Sequence, residues 1–111
     1  MHLQTTKRDS HLVIQILEPR VDAHNSDELK DYIAKLLENN EQKLIVDLSQ
    51  VRFIDSSGLG ALLSGYKNAS LHHASLVLAG LQPRVRALFE LTRLDRVFEI
   101  YADVAGALAG D

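Results

Sequence analysis

Apolar residues follow two different spacings along the chain, and segments of the two kinds alternate. Short aliphatic runs rich in β-branched side chains are typical of strands. Such strands are predicted at 11–17, 43–48, 75–79 and 97–101. Residues 2–7 alternate weakly between apolar and polar side chains, and they are predicted to pair with 11–17 through a turn at Asp9-Ser10.

Between the strands, apolar residues recur at three- and four-residue spacing, which is the period of one face of an α-helix. The first helix is predicted to begin after Asn25, which has capping-box spacing with Glu28. It is predicted to end at Asn39-Asn40. Its buried stripe is Leu29, Tyr32, Ile33, Leu36 and Leu37.

Three further helices are predicted. One opens within Asp55–Gly60 and runs to about Ala69, the next has Pro83 at its first turn, and a final helix over 104–109 is capped by Asp103. The buried sides of the first two of these helices are Leu59, Leu62, Leu63 and Tyr66, and Val85, Leu88 and Phe89.

The order of these elements predicts the fold class. Strands that alternate with helices after an N-terminal hairpin indicate an α/β fold, with a mixed sheet that is largely parallel after the hairpin and is packed with about four helices. We expect one domain over residues 1–111. Parallel crossovers place the carboxyl ends of the strands, and with them Asp55, Ser56 and Ser57, along the edge where open α/β sheets meet ligands.

Composition excludes several function classes. A net charge of −3 and a pI of about 5.9 argue against nucleic-acid binding. The absence of cysteine excludes disulfides and thiolate metal sites. The five histidines are scattered or adjacent and do not form a ligand set, so no metal or cofactor is expected. The sequence shows neither a signal peptide nor a membrane span, and we expect a soluble cytoplasmic protein.

The stretch Asp55-Ser-Ser-Gly-Leu-Gly60 stands where a strand gives way to a helix. The simpler interpretation is that Asp55 or Ser56 is an N-cap, a device worth about 1 kcal/mol. However, each glycine costs a helix about 1 kcal/mol relative to alanine. The two glycines are therefore predicted to leave a bare helix surface for a partner's backbone. That surface is predicted to comprise Gly58, Gly60, Ala61, Ser64 and Gly65.

A phosphate on Ser56 would add about −1.5 to −2 charges at a helix N-terminus, where unpaired N–H groups and the helix dipole tolerate an anion. A docked partner would have to desolvate that charge. The motif therefore predicts a switch that changes binding and spares the fold. Ser57 is predicted to hold the turn, with modification of Ser57 in place of Ser56 as the alternative.

Residues 44–68, which include this motif, closely resemble the core of STAS domains, and most of all the small single-domain anti-sigma factor antagonists of bacteria. Residues 81–100 are similar to the later helix and last strand of that family. The resemblance implies a non-enzymatic binding protein. It implies that Ser56 is the phosphoacceptor for a serine kinase/anti-sigma factor of the histidine-kinase-like ATPase class.

The same resemblance implies that the unphosphorylated form binds that kinase, that phosphorylation abolishes binding, and that a PP2C-type phosphatase reverses it. It places Asp22 at the partner surface, although proline and arginine precede it where the family carries a Gly-x-Leu-Asp turn. Partner contacts are thus predicted at Asp22, Asp55, Ser57, Gly58 and Gly60.

The alternative is a STAS scaffold or transport-associated interaction module that is never phosphorylated. An enzyme is disfavoured, because the motif lacks the Gly-x-Ser-x-Gly nucleophile elbow and the chain has no phosphate-binding loop with lysine. Four arginines surround the later helix and are typical of a solvated face. They are Arg84, Arg86, Arg93 and Arg96.

Overall fold

The computed structural model describes residues 1–110 and contains a five-stranded sheet. The strands are β1 (Leu3–Arg8), β2 (His11–Ile16), β4 (Lys43–Asp47), β6 (Ser75–Ala79) and β7 (Ile100–Tyr101), in the order β1-β2-β4-β6-β7. Strands β1 and β2 form an antiparallel hairpin, and every other neighbouring pair is parallel. The aliphatic β4 lies at the centre, as its nearly unbroken apolar run predicts.

Four α-helices pack on this sheet within the described residues. They are α1 (Ser26–Glu38), α2 (Ser56–Leu71), α3 (Pro83–Leu91) and α4 (Val104–Ala109), and a 3-10 helix spans Leu94–Arg96. One face of the sheet forms the main core with α1, α2 and α3. The other face packs on α4 through a small cluster of Val13, Ile45, Ala79 and Ala107. The predicted mixed sheet, hairpin and four helices are confirmed.

Two further strands form a separate parallel pair, which the sequence did not predict. They are β3 (Arg20–Val21) and β5 (Phe53–Ile54). The carbonyl oxygen of Pro19 accepts hydrogen bonds from the backbone N–H groups of Arg52 at 2.8 Å and Phe53 at 3.1 Å. The motif at Asp55 therefore follows this small sheet and not a strand of the main sheet.

The predicted capping box at the start of α1 is wrong. Asn25 is the N-cap residue, but its side chain makes no capping bond; it accepts from the backbone N–H of Asp22 and donates to the carbonyl of Arg20. Glu28 instead accepts a hydrogen bond from the N-terminal ammonium of Met1. That bond raises the pKa of the amine. Both side chains thus serve contacts that lie outside the helix.

The last strand is shorter than the predicted 97–101. The chain after α3 forms the 3-10 turn, and the N–H of Phe98 bonds to the carbonyl of Leu94 at 3.0 Å. Phe98 is buried between Tyr66 and Phe89, with ring centroids 5.3 and 5.8 Å away. Pairing with β6 therefore begins only after this ring cluster.

Candidate functional site

The start of α2 is built around Asp55. Its backbone is extended, and its Oδ1 accepts a hydrogen bond from the N–H of Gly58 at 2.9 Å. Its Oδ2 accepts from the N–H of Ala23 at 3.2 Å, in the loop between β3 and α1. Asp55 is therefore the N-cap that the sequence predicted as one of two options, and it also holds the neighbouring loop against the helix start.

Ser56 and Ser57 follow this cap as the first two residues of α2, and both are exposed. Within residues 1–110, neither hydroxyl has a hydrogen-bond partner, and neither backbone N–H is bonded within the protein. The first turn of α2 carries no acidic residue beyond its cap. The helix thus presents two free N–H groups and two free hydroxyls to solvent at its positive end.

Gly58 does not lie on an exposed surface, contrary to the prediction that it forms part of a bare helix surface. It is buried, and a Cβ built there would lie 2.6 Å from the carbonyl oxygen of Val21 and 2.6 Å from Cγ1 of Ile54. The missing side chain lets α2 approach the backbone of β3. The close approach that the glycine permits is therefore internal.

The remaining small residues of α2 also divide between the core and the surface. Ala61 and Gly65 are buried, and a Cβ on Gly65 would lie 3.1 Å from Cδ1 of Ile33 in α1. Gly60 has no atom within 4 Å of the corresponding position and is open. Of the predicted bare surface, only Gly60 and the half-buried Ser64 are accessible, because α1 and the β3–β5 sheet cover the rest.

Asp22 lies in the loop that Asp55 holds. Its Oδ1 accepts from the N–H of His24 at 2.9 Å, and its Oδ2 lies 3.5 Å from Nε of Arg20. Its side chain is 17% exposed. The structure therefore brings Asp22, Asp55, Ser57 and Gly60 to one side of the molecule. The two carboxylates mainly order the loop and the helix start.

Two shallow grooves meet at Gly60. One, of about 300 Å³, separates α2 from α1 and is lined by Ser57, Ser64 and Lys30 among others. The other, of about 390 Å³, follows the outer side of α2 past Leu63 to Leu71, which is 79% exposed. Sequence reasoning missed Leu71 and the adjacent Lys67. The helical spacing places Leu71 on a different side of α2 from the residues that face the core. That spacing could have predicted an exposed leucine from the sequence.

The arrangement offers little for catalysis. Ser56 is not hydrogen-bonded to a base within the described residues, and the neighbouring Asp55 carboxylate is already held by two backbone N–H groups. No group of three metal-ligating side chains is assembled anywhere in residues 1–110. No helix in that range is both long and apolar enough to cross a membrane. What remains is an exposed hydroxyl at an ordered helix start.

The STAS domain family matches residues 2–107. The chain belongs to this family. This STAS domain is 28% identical over 109 residues to the anti-sigma-B factor antagonist of Listeria monocytogenes, covering 98% of this chain and 95% of that protein. An anti-sigma factor antagonist from Mycobacterium paratuberculosis has the same fold, with a TM-score of 0.88 at 24% identity over 98% of this chain and 92% of the other.

A further solved structure is the phosphorylated form of the Bacillus cell fate determinant SpoIIAA. It aligns with this STAS domain at a TM-score of 0.74 and 19% identity, covering 97% of each chain. These likenesses confirm the predicted fold class, a STAS-type mixed sheet with its helices.

Proposed function

We propose that this STAS domain is an anti-sigma factor antagonist that changes partners through reversible phosphorylation of Ser56. The unmodified protein binds a serine kinase/anti-sigma factor of the histidine-kinase-like ATPase class. Phosphorylation at Ser56 abolishes that binding, and a PP2C-type phosphatase restores it. The protein acts in the cytoplasm as a binding partner and not as an enzyme. The names of its relatives support the antagonist role.

One observation carries the proposal. Ser56 is exposed with a free hydroxyl, whereas the residues on either side of the serine pair make internal contacts: Asp55 caps the helix and Gly58 packs on Val21. A kinase can reach the hydroxyl without disturbing the fold. Ser57 is exposed with a free hydroxyl as well, but it lines the groove between α1 and α2, where we propose that it contacts the partner. A solved structure of the same fold is of a protein in phosphorylated form, which supports the proposal that this fold accepts a phosphate.

A phosphate at Ser56 is compatible with the folded state. It would meet the unpaired N–H groups and the positive end of α2, which favour an anion. The carboxylates of Asp22 and Asp55 lie on the same side and would oppose it, but solvent screens exposed charges. A docked partner loses that screening and must accommodate the added charge and volume. Phosphorylation is thus expected to weaken binding far more than folding.

The assignment is tested by mass mapping. The wild-type protein is used to capture its kinase from lysate of the source organism, and the purified kinase is then incubated with the protein and ATP. Trypsin releases residues 53–67, which contain Ser56, Ser57 and Ser64, so fragmentation must place the phosphate. We expect it on Ser56, with loss in Ser56→Ala and retention in the matched Ser57→Ala. Phosphate on Ser57, or unchanged acceptance by Ser56→Ala, would contradict the assignment.

The switch itself is tested with Ser56→Asp. We expect kinase binding to weaken by about tenfold or more, since a like charge or an unpaired charge in an interface costs several kcal/mol. The circular dichroism spectrum and melting temperature should remain those of the wild type. Loss of binding only together with loss of fold would show that the electrostatic account is wrong. Stable binding with no detectable phospho-form would favour the constitutive STAS scaffold instead.

A further inference from the structure

An apolar groove of about 340 Å³ lies between β5 and α3, on a different surface from the grooves of α2. Phe53 and Ile54 form one wall, and Leu88 and Leu91 lie on the other. Leu91 is 82% exposed, the most of any large apolar side chain that the structure describes. The groove is therefore an accessible apolar concavity that an exposed leucine borders.

The apolar residues of helix α3 extend from the core to the surface. Val85 and Phe89 point into the interior and are fully buried. Ala87, Leu88 and Leu91 lie at three- and four-residue spacing on the side that lines the groove. Leu88 is half-buried and also packs against the main core, whereas Ala87 and Leu91 are exposed. Core packing therefore does not account for the apolar side chain of Leu91.

Two arginines line the same groove. Arg52 and Arg84 are both exposed, and within residues 1–110 neither pairs with a carboxylate. No acidic residue lines the groove, although the whole chain carries a net charge of −3. The guanidinium of Arg20 lies 4.2 Å from the centre of the Phe53 ring, and its nearest carboxylate is Asp22 at 3.5 Å. The groove is therefore a local positive region with apolar walls.

Aliphatic stems of arginine can shield apolar surface, but they do not do so at Leu91, which remains exposed. On α3 the charge and the apolar contacts are also separated. Arg84 stands in the first turn, and Leu91 ends the helix about 10 Å away at 1.5 Å per residue. That separation suits a ligand with an anionic head and an apolar tail.

We propose that this groove binds a monomeric fatty carboxylate, with the carboxylate between Arg52 and Arg84 and the alkyl chain along Phe53, Leu88 and Leu91. Guanidinium groups bind carboxylates through paired charge-assisted hydrogen bonds. The groove has the volume of small-ligand sites and their usual lining, mainly apolar with few polar groups.

The experiment is an NMR titration of the ¹⁵N-labelled protein with sodium dodecanoate, kept below the concentration at which it forms micelles. We expect saturable shifts of the amides of Phe53, Ile54, Ala87, Leu88 and Leu91. Dodecyltrimethylammonium, which has the same tail and a cationic head, should bind about tenfold more weakly or not at all. Absence of saturable shifts, or equal binding of the cation, would overturn the proposal.

Matched variants separate specific binding from general affinity for apolar surface. Arg84→Gln and Leu91→Gln should each weaken dodecanoate binding about tenfold. Arg86→Gln, on the same helix but paired with Glu90 at 3.8 Å, should not. Leu71→Gln changes an equally exposed leucine on α2 and should also leave binding unchanged. All four side chains are exposed, so folding is expected to survive each change.

Other occupants give distinguishable results. Sedimentation with anionic phospholipid vesicles that depends on Arg84, without binding of monomeric dodecanoate, would identify a membrane contact and overturn the proposal. Dodecanoate-induced shifts that are confined to the Leu63–Leu71 side of α2 would also overturn the proposal. If the captured kinase loses affinity for Leu91→Gln while dodecanoate fails to bind, the groove is a protein-docking surface instead. None of these outcomes depends on whether Ser56 is phosphorylated.

Discussion

At the scale of single residues, Gly58 and Gly60 have different roles, although both are glycines of helix α2. They lie two residues apart in one helix, so they point in different directions. A Cβ on Gly58 would meet the backbone of Val21, whereas a Cβ on Gly60 would meet nothing within 4 Å. Glycine is a packing requirement at the first position and a surface feature at the second.

Substitution of each glycine by alanine should therefore have opposite effects. Gly58→Ala is expected to destabilise the fold by about 1–3 kcal/mol, because the carbonyl of Val21 cannot yield as a flexible side chain would. Gly60→Ala should stabilise it by about 0.5–1 kcal/mol through helix propensity. Urea unfolding of the two variants measures both. A neutral or stabilising Gly58→Ala would show that α2 can move away from β3.

At the scale of elements, Asp55 connects the start of α2 to the loop that precedes α1. One carboxylate oxygen caps α2 through Gly58, and the other holds the N–H of Ala23. Asp103 caps α4 in the same way, with Oδ1 accepting from the N–H of Gly106 at 2.7 Å, but the structure gives it no second link of this kind. The two aspartates thus cap their helices in the same way, but within residues 1–110 only Asp55 also bonds to a distant loop.

Replacement of the two caps should separate capping from loop attachment. Asp55→Ala is expected to cost about 2 kcal/mol of unfolding free energy, since it leaves two backbone N–H groups without their acceptor. Asp103→Ala should cost about 1 kcal/mol or less. Amide hydrogen exchange at Ala23 should accelerate in Asp55→Ala and not in Asp103→Ala. Equal costs, with protected exchange at Ala23 in both variants, would contradict the linking role.

At the scale of the whole molecule, three aromatic rings join elements that are far apart in the chain. Phe98, after the 3-10 turn, lies edge-to-face between Tyr66 of α2 and Phe89 of α3. This cluster belongs to the main core, which also includes the inner residues of the sheet. The helix that carries Ser56 is thereby held to the later half of the chain.

Phe98→Ala should consequently destabilise the whole domain by about 3–5 kcal/mol. Phe98→Leu should cost less, because it retains apolar volume and loses mainly the ring contacts, which contribute about 0.5–1.5 kcal/mol each. Val97→Ala, at a neighbouring side chain that is 39% exposed, should change stability by less than about 0.5 kcal/mol. Chemical denaturation of the three variants measures whether their losses of stability follow this order. Equal losses for Phe98→Ala and Val97→Ala would show that the cluster does not hold the fold.

Local sequence patterns were sufficient to predict most of the fold and part of the candidate site. The strands at 75–79 and in the N-terminal hairpin, the helix at 104–109 with its Asp103 cap, and Pro83 at the start of α3 were all predicted and are confirmed. Each of these features depends on residues that are close to one another in the sequence. The capping box of Asn25 failed because Asp22 and Arg20 bond to its side chain instead.

The residue spacing by itself determined the kinds and order of the main elements, and it placed the hydroxyl pair at a helix start, because hydrophobic period and capping act between near neighbours in the chain. Only the tertiary structure decided that Gly58 faces inward, that β3 pairs with β5, and that Leu91 borders an open groove. Those outcomes depend on contacts between segments distant in sequence, which no local pattern encodes.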